Sequence, residues 1–236
     1  ANPSTQSALD LFEKPSLLIN YENAYDQKVE TQTGCSGPTL EFTIAADNKN
    51  CVDLNCIFMQ VLVSLKQGDG TTKVNETDNK VVLVNNVLHS LFVKCEVYLN
   101  GVIISNSNNL YAHEAFIETE YSLGADCKNT WARCQGYTYE SDPSDFAGAC
   151  FIARQARQIK YQNPTSFYGP LCVDFFNCEK LLVPESVLRI TLTRSSDEFS
   201  IISIDGKPYH AVIEQACLFV RKICLSDKVK LALNNN

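Results

Sequence analysis

The sequence predicts an all-β protein, a jelly-roll sandwich of about eight antiparallel strands with one or two helices inserted in loops. Strand-like alternation of apolar and polar residues recurs along the chain, whereas helical periodicity is confined to two stretches. The length of 236 residues suits one large sandwich with a single core. With 45% hydrophobic and 20% charged residues, the chain has the composition of a folded domain.

An extended arm is expected ahead of the domain. Residues 1–20 lack periodicity and contain Pro3 and Pro15, yet they carry apolar side chains that need cover. The candidate assembly residues in this arm are Leu9, Leu11, Phe12, Leu17 and Leu18. We place a single jelly-roll domain at residues 21–230 and a frayed end at residues 231–236.

Five segments carry the main strand signals. Residues 40–44, 93–99 and 188–193 alternate apolar with polar side chains, the pattern of half-buried strands. Residues 57–65 and 212–223 are apolar on both faces, which predicts central strands or strands covered by a partner.

Three turn signals separate the strands. Asn100-Gly101 follows one alternating segment and precedes another apolar run, which predicts a hairpin with a two-residue type I′ turn. Residues 68–70 and 205–208 combine glycine with Asp or Pro and predict loops between strands.

Helical periodicity predicts two helices inside long loops. The first follows Asn108 and Asn109, which can cap it, and its apolar face comprises Leu110, His113, Ile117 and Tyr121. The apolar stripe of the second comprises Ala149, Ile152, Ala153, Ala156 and Ile159. Arg154, Arg157 and Lys160 lie off that stripe and form either a basic strip for nucleic acid or, as we favour, the polar side of a packed helix.

The charge balance argues against a phosphate-binding surface. The net charge is −7, and affinity for nucleic acid derives from Lys and Arg, so we expect no direct nucleic-acid partner. The longest nearly uncharged run, residues 81–93, is interrupted by Asn85, Asn86 and His89. With no signal-peptide pattern either, we expect a chain that neither spans a membrane nor is secreted by a signal.

The eleven cysteines point to a reducing compartment. Their number is odd, no CxxC pair occurs, and Cys95 and Cys172 have the sequence context of apolar strand positions. We therefore predict reduced cysteines that pack as small hydrophobic residues.

No local pattern indicates catalysis. The three histidines belong to no metal-binding motif, and the sequence has neither a GxSxG elbow nor a phosphate-binding glycine loop. The paired carboxylates, such as Glu114 and Glu118, have the spacing expected of a solvent-exposed helix face or loop, so they do not indicate acid–base catalysis. We expect no enzyme activity, cofactor or metal.

Several segments resemble the hexon-type major capsid proteins of adintoviruses and of Maverick or Polinton virus-like transposons. The most specific are residues 87–92 (Val-Leu-His-Ser-Leu-Phe) and residues 96–101 (Glu-Val-Tyr-Leu-Asn-Gly). The other similar segments are residues 7–12, 38–42, 52–54, 105–111, 115–119, 171–176, 194–195 and 218–222.

This resemblance implies a double jelly-roll subunit, three copies of which form a pseudo-hexagonal capsomer in an icosahedral shell. It implies self-association, minor capsid or penton proteins as partners, and a place in the virion after assembly in the reducing nucleus or cytoplasm of a host cell. The chain ends where the second roll of this family would begin, so it corresponds to the first roll, as a fragment or a shortened homologue.

Two alternatives stay open on the sequence. A lectin-like or cytokine-like binding module of jelly-roll shape would have a leader, oxidised cysteines and a concave site with converging polar groups. An enzyme would need a deep pocket that gathers His89, His113 or His210 with acidic residues.

Overall fold

A computed structural model describes residues 21–45, 47–74, 80–139, 148–155 and 164–226. Its strands are β1 (Tyr21–Glu30), β2 (Thr39–Ile44), β3 (Asn50–Gln67), β4 (Val81–Leu83), β5 (Phe92–Leu99), β6 (Val102–Asn106), β7 (Thr165–Pro170), β8 (Leu181–Leu182), β9 (Leu188–Arg194), β10 (Ile201–Ser203) and β11 (Tyr209–Leu225). Its α-helices are α1 (Val87–Ser90), α2 (Tyr111–Ser122), α3 (Ala125–Asn129), α4 (Ala149–Gln155) and α5 (Asp197–Ser200). Two 3-10 helices span Trp131–Gln135 and Asp174–Asn177.

The strands form two main antiparallel sheets. One has the order β1-β11-β3-β7, with β8 also paired to β3, and the other has the order β2-β9-β5-β6. The last strand, β11, thus lies between the first and the third, and β9 lies between β2 and β5. This connectivity, in which neighbours in space are distant in sequence, confirms the predicted jelly roll.

One hydrophobic core lies between the two sheets. The inward side chains of β2 (Leu40, Phe42 and Ile44) are at most 2% exposed, and those of β9 (Leu188, Ile190 and Leu192) are 0% exposed. They pack with inward residues of β3 and β11 in a single cluster. Full burial of one such side chain is worth about 1.5–3 kcal/mol, which explains why the alternating segments form strands.

The two segments that are apolar on both faces are the central strands of their sheet. β3 and β11 pair with each other along almost their whole lengths, with β1 and β7 on either side. Their inward residues, such as Met59 and Leu218, are fully buried, whereas outward residues such as Phe58 and Phe219 are only half-buried. The predicted central position is confirmed, and part of the outer face stays accessible.

The Asn100-Gly101 hairpin is confirmed. Leu99 pairs with Val102, and the two turn residues have φ values of 49° and 82°, both in the left-handed region. A type I′ turn requires this conformation at both positions, and Asn and Gly tolerate it best. The predicted loops at residues 68–70 and 205–208 also lie outside strands, after β3 and before β11.

The predicted helix after Asn109 is present as α2, but its predicted buried face is wrong. The side chains that α2 buries are Tyr111, Ala112, Ala115 and Thr119. Leu110, Ile117 and Tyr121 are instead 53%, 56% and 87% exposed. The small alanines allow α2 to pack on β5 and α1, and the hydroxyl of Thr119 is satisfied inside by the Ala115 carbonyl at 2.8 Å.

The capping prediction for α2 is also wrong. Asn108 and Asn109 have φ values of 48° and 66° and form a turn, while Leu110 occupies the N-cap position with no side-chain cap. Both asparagines tolerate the left-handed conformation, so they are used for the turn and not for the cap.

The second predicted helix is present as α4, and its buried face is also wrong within the described residues. Phe151, Arg154 and Gln155 are buried, whereas Ile152 is 55% exposed and Ala149 and Ala153 are exposed. The Gln155 amide donates to the Val81 carbonyl at 3.4 Å, and the Arg154 guanidinium lies 6.0 Å from the Phe151 ring centre. Arg154 is therefore not part of a solvent-facing basic strip.

The rest of that predicted stripe, Ala156, Arg157, Ile159 and Lys160, lies outside the described residues. No helix in the described part of the chain is long and apolar enough to cross a membrane.

Candidate functional site

The predicted assembly residues of the arm, Leu9, Leu11, Phe12, Leu17 and Leu18, lie outside the described residues. Their role stays a prediction.

Three reactive side chains meet in the core, although 83 residues separate the first from the last. His89 on α1 places its Nδ1 atom 3.0 Å from the hydroxyl of Tyr111 at the start of α2. Its Nε2 atom lies 3.6 Å from the thiol sulfur of Cys172, which follows β7. A thiol beside an imidazole is the arrangement that cysteine-dependent hydrolases use for nucleophilic attack.

The protonation states of this group oppose such chemistry. Burial lowers the pKa of His89 to about 4 and raises the pKa of Cys172 far above its usual value. The nucleophilic form of cysteine is the thiolate, and here both groups are neutral at neutral pH. The three side chains therefore join α1, α2 and the segment after β7 without the thiolate that catalysis needs.

The other two histidines lie elsewhere. The Nδ1 atom of His210 is 2.8 Å from a carboxylate oxygen of Asp197, whose other oxygen accepts the Ala211 amide at 3.0 Å. His113 lies against Phe199, with ring centres 5.6 Å apart. Among the described residues, no three or more His, Cys, Asp or Glu side chains lie close enough together to hold a metal ion.

The structure describes the side chains of ten cysteines, and each of these carries a free thiol. Cys51, Cys95 and Cys217 are buried as small packing side chains, and burial raises the pKa of Cys95 to about 12. The predicted strand position is correct for Cys95 but wrong for Cys172, because β7 ends at Pro170.

An exposed apolar edge strand is the first surface suited to assembly. Within the described residues, β6 ends its sheet and pairs only with β5, and its residues Val102, Ile103 and Ile104 are 66%, 45% and 41% exposed. The strand contains neither Lys nor Pro, the residues that usually protect a free edge from pairing. The only signal in the sequence is three consecutive apolar residues without alternation, which identifies a strand but not its exposure.

An aromatic band on the outer face of the five-stranded sheet is the second such surface. Phe58 of β3 stacks on Tyr168 of β7 with ring centres 5.4 Å apart, and Phe219 of β11 meets Tyr168 at 6.0 Å. Tyr168 is 40% exposed. Beside the band, Arg221 forms an ion pair with Asp26 at 3.0 Å. Aromatic residues and arginine are enriched in protein–protein interfaces.

The structure is similar to solved viral structures. It matches a chain of the Sputnik virophage with a TM-score of 0.61 and 12% identity, covering 95% of this chain and 53% of that chain. It matches the Faustovirus major capsid protein with a TM-score of 0.53 and 10% identity, covering 96% and 58%. It matches VP54 of PBCV-1, fitted into a reconstruction of Sputnik, with a TM-score of 0.52 and 12% identity, covering 90% and 45%.

These likenesses show the fold, a jelly roll of the kind found in viral capsid proteins. The chain spans about half the length of the structures that it matches, 53% and 58% for the first two named above. No protein-family model and no curated protein matches the sequence.

Proposed function

We propose that this chain is a structural subunit of a viral capsid. The observation that carries the proposal is the jelly-roll order of the two sheets, together with the similarity of the fold to the Faustovirus major capsid protein over 96% of this chain. The buried, neutral state of the His89–Cys172 pair supports a structural role for this thiol–imidazole arrangement.

In finer detail, we propose the first roll of a hexon-type double jelly-roll major capsid protein of the adintovirus or Maverick type. The chain's span of about half of each matched structure supports this division. Such a protein forms trimeric capsomers, contacts minor capsid or penton proteins and resides in the virion. The free thiols of the described cysteines support assembly in a reducing nucleus or cytoplasm.

Assembly would use surfaces that the core leaves exposed. The edge of β6, which no other described strand pairs with, offers backbone groups and apolar side chains to a strand of a neighbouring copy. The aromatic band of Phe58, Tyr168 and Phe219 offers a flat apolar face with an adjacent ion pair. Non-directional apolar burial would drive association, and polar contacts at the rim would set its geometry. The arm residues Leu9, Leu11, Phe12, Leu17 and Leu18 would be covered in the assembled state.

The test is the oligomeric state of the protein and of one edge variant. We expect light scattering and negative-stain microscopy to show association that grows with concentration. Ile103→Lys should weaken it about tenfold or more, because burial of one isoleucine is lost and a charge is added at the free edge.

Ile204→Lys is the matched control, since Ile204 is 52% exposed against 45% for Ile103 and lies in the loop before β11. It should leave association unchanged, and both variants should keep the parent melting temperature. A concentration-independent monomer would count against the proposal. Equal effects of the two substitutions would show that the edge of β6 has no specific part in association.

A further inference from the structure

An apolar helix face without a packing partner in the described chain distinguishes α2. Four apolar side chains on α2 or at its N-cap, here called the α2 surface, are at least 40% exposed: Leu110, Phe116, Ile117 and Tyr121. Leu110, Ile117 and Tyr121 follow helical spacing, so they lie on the side opposite the face that α2 buries. The helix therefore has two faces suited to packing, and the domain uses only one.

Two cavities of different chemistry flank Ile117. The smaller, of about 290 Å³, is mostly apolar and lies between α2 and α5, where Phe116, Ile117 and Phe199 line it. The larger, of about 600 Å³, lies between the end of β6 and α2, with Ile117 and Tyr121 in its lining. A bulky apolar side chain suits the smaller cavity, because its walls are themselves mostly apolar.

The larger cavity is acidic. Glu114, Glu118 and Asp174 line it, and no described Lys or Arg does. None of these three carboxylates forms an ion pair with a described lysine or arginine. Carboxylates of one sign in a cleft with apolar walls attract cations, so a Lys or Arg side chain suits this cavity.

The size of the apolar area indicates what kind of partner covers it. At 150–250 Å² for each large side chain, the α2 surface together with Phe199 exposes roughly 420–700 Å². This is as large as the largest apolar patch on a typical monomer, and such patches often serve binding. Because the patch follows a single helix and the two cavities beside it, a short segment lying along the helix can cover it.

We propose that the α2 surface binds a segment of another protein that carries a bulky apolar residue beside Lys or Arg. The apolar side chain enters the smaller cavity, and the basic side chain pairs with Glu114, Glu118 or Asp174 in the larger one. A second copy of the chain meeting this surface face to face would bring like carboxylates together and add to its net charge of −7. This docking site goes beyond the proposed shell function and does not require self-association.

The test uses two synthetic amphipathic peptides with the same leucine positions, one with lysine and one with glutamate at the polar positions. Each carries a fluorescein label, and binding to the full chain is followed by fluorescence anisotropy. We expect the lysine peptide to bind, with an affinity that falls as salt is added, because salt screens its charges. We expect the glutamate peptide not to bind. Glu114→Lys combined with Glu118→Lys should lower the affinity for the lysine peptide at least about tenfold, and Ile117→Ala should lower it several-fold.

Glu22→Lys combined with Glu179→Lys is the control for overall charge, because it changes the net charge equally at exposed residues that line neither cavity. It should leave the affinity within about twofold. Three binding results would overturn the proposal: an equal loss of affinity in the control, equal binding of the two peptides, or no binding of the lysine peptide. Loss of self-association in the Glu114/Glu118 variant would also overturn it, because a second copy of the chain would then be the occupant. Peptide binding is measured at concentrations where the chain is monomeric, so it can succeed or fail independently of the shell assembly.

Discussion

Replacing Gly136 with alanine tests whether the turn after the 3-10 helix Trp131–Gln135 is packed as tightly against Val87 and Phe167 as the structure indicates. Gly136 and Gly101 have almost the same φ, +83° and +82°, both in the left-handed region. A Cβ atom at Gly101 would meet nothing within 4 Å. At Gly136 it would lie 2.8 Å from the Cβ and Cγ2 atoms of Val87 and 2.9 Å from Cε1 of Phe167. The two glycines therefore share the backbone cost of substitution and differ in the steric cost.

The expected magnitudes follow from these two costs. An alanine in the left-handed region costs about 1–2 kcal/mol, which is the whole effect expected for Gly101→Ala. Forcing extra atoms into a packed core costs about 1–3 kcal/mol more. Val87 and Phe167 are only 1% and 3% exposed, so they have little room to move. Gly136→Ala should therefore lower the free energy of unfolding by about 2–5 kcal/mol.

The assay is urea unfolding of the parent and both variants, followed by far-ultraviolet circular dichroism. We expect the midpoint to fall for both variants and to fall further for Gly136→Ala, with similar slopes in all three. Equal losses in the two variants would refute the reasoning, because they would mean that the surroundings of Gly136 relax freely around an added methyl group.

Three further predictions concern protonation, thiols and the arm. Because burial lowers the pKa of His89 from 6.5 to about 4, its neutral form stabilises the fold above pH 6.5, and this stability is lost as the pH falls towards 4. Between pH 7 and 5, titration of His89 should lower the free energy of unfolding by about 2 kcal/mol. Denaturant titrations at several pH values should show that the free energy of unfolding depends less on pH in His89→Gln than in the parent protein. With the thiol reagent DTNB, exposed Cys134 should react first in the native protein, whereas buried Cys95 and Cys217 should react only after denaturation. All eleven cysteines should react in the denatured protein. A result in which most thiols are blocked would favour the secreted binding module. Deleting residues 1–14 should preserve the circular dichroism spectrum and weaken self-association in light scattering, whereas loss of the fold would show that the arm contributes a strand.

The sequence by itself determined the alternating strands, the central pair and the hairpin. Leu40, Phe42 and Ile44 alternate with polar residues, and one face of any strand built from them must be buried, whatever the strand pairs with. Asn100-Gly101 encodes its turn through the φ values that these two residues tolerate. Both signals are local, because the information lies within a few neighbouring residues. The jelly-roll class followed from their number and order.

Only the tertiary structure decided which face of each helix is buried and which side chains meet. In α2, the alanines and Thr119 face the domain because α1 and β5 approach closely there, so the more apolar stripe with Ile117 is left outside. In α4, likewise, the face turned towards the domain contains Arg154, which is buried, and the apolar Ile152 is left exposed. His89, Tyr111 and Cys172 come from distant parts of the sequence, as do the two sides of the groove between β6 and α2. A helix pattern records which residues are apolar, but the shape and polar groups of the opposing surface decide which of them are covered, and that surface is built by residues far away in the chain.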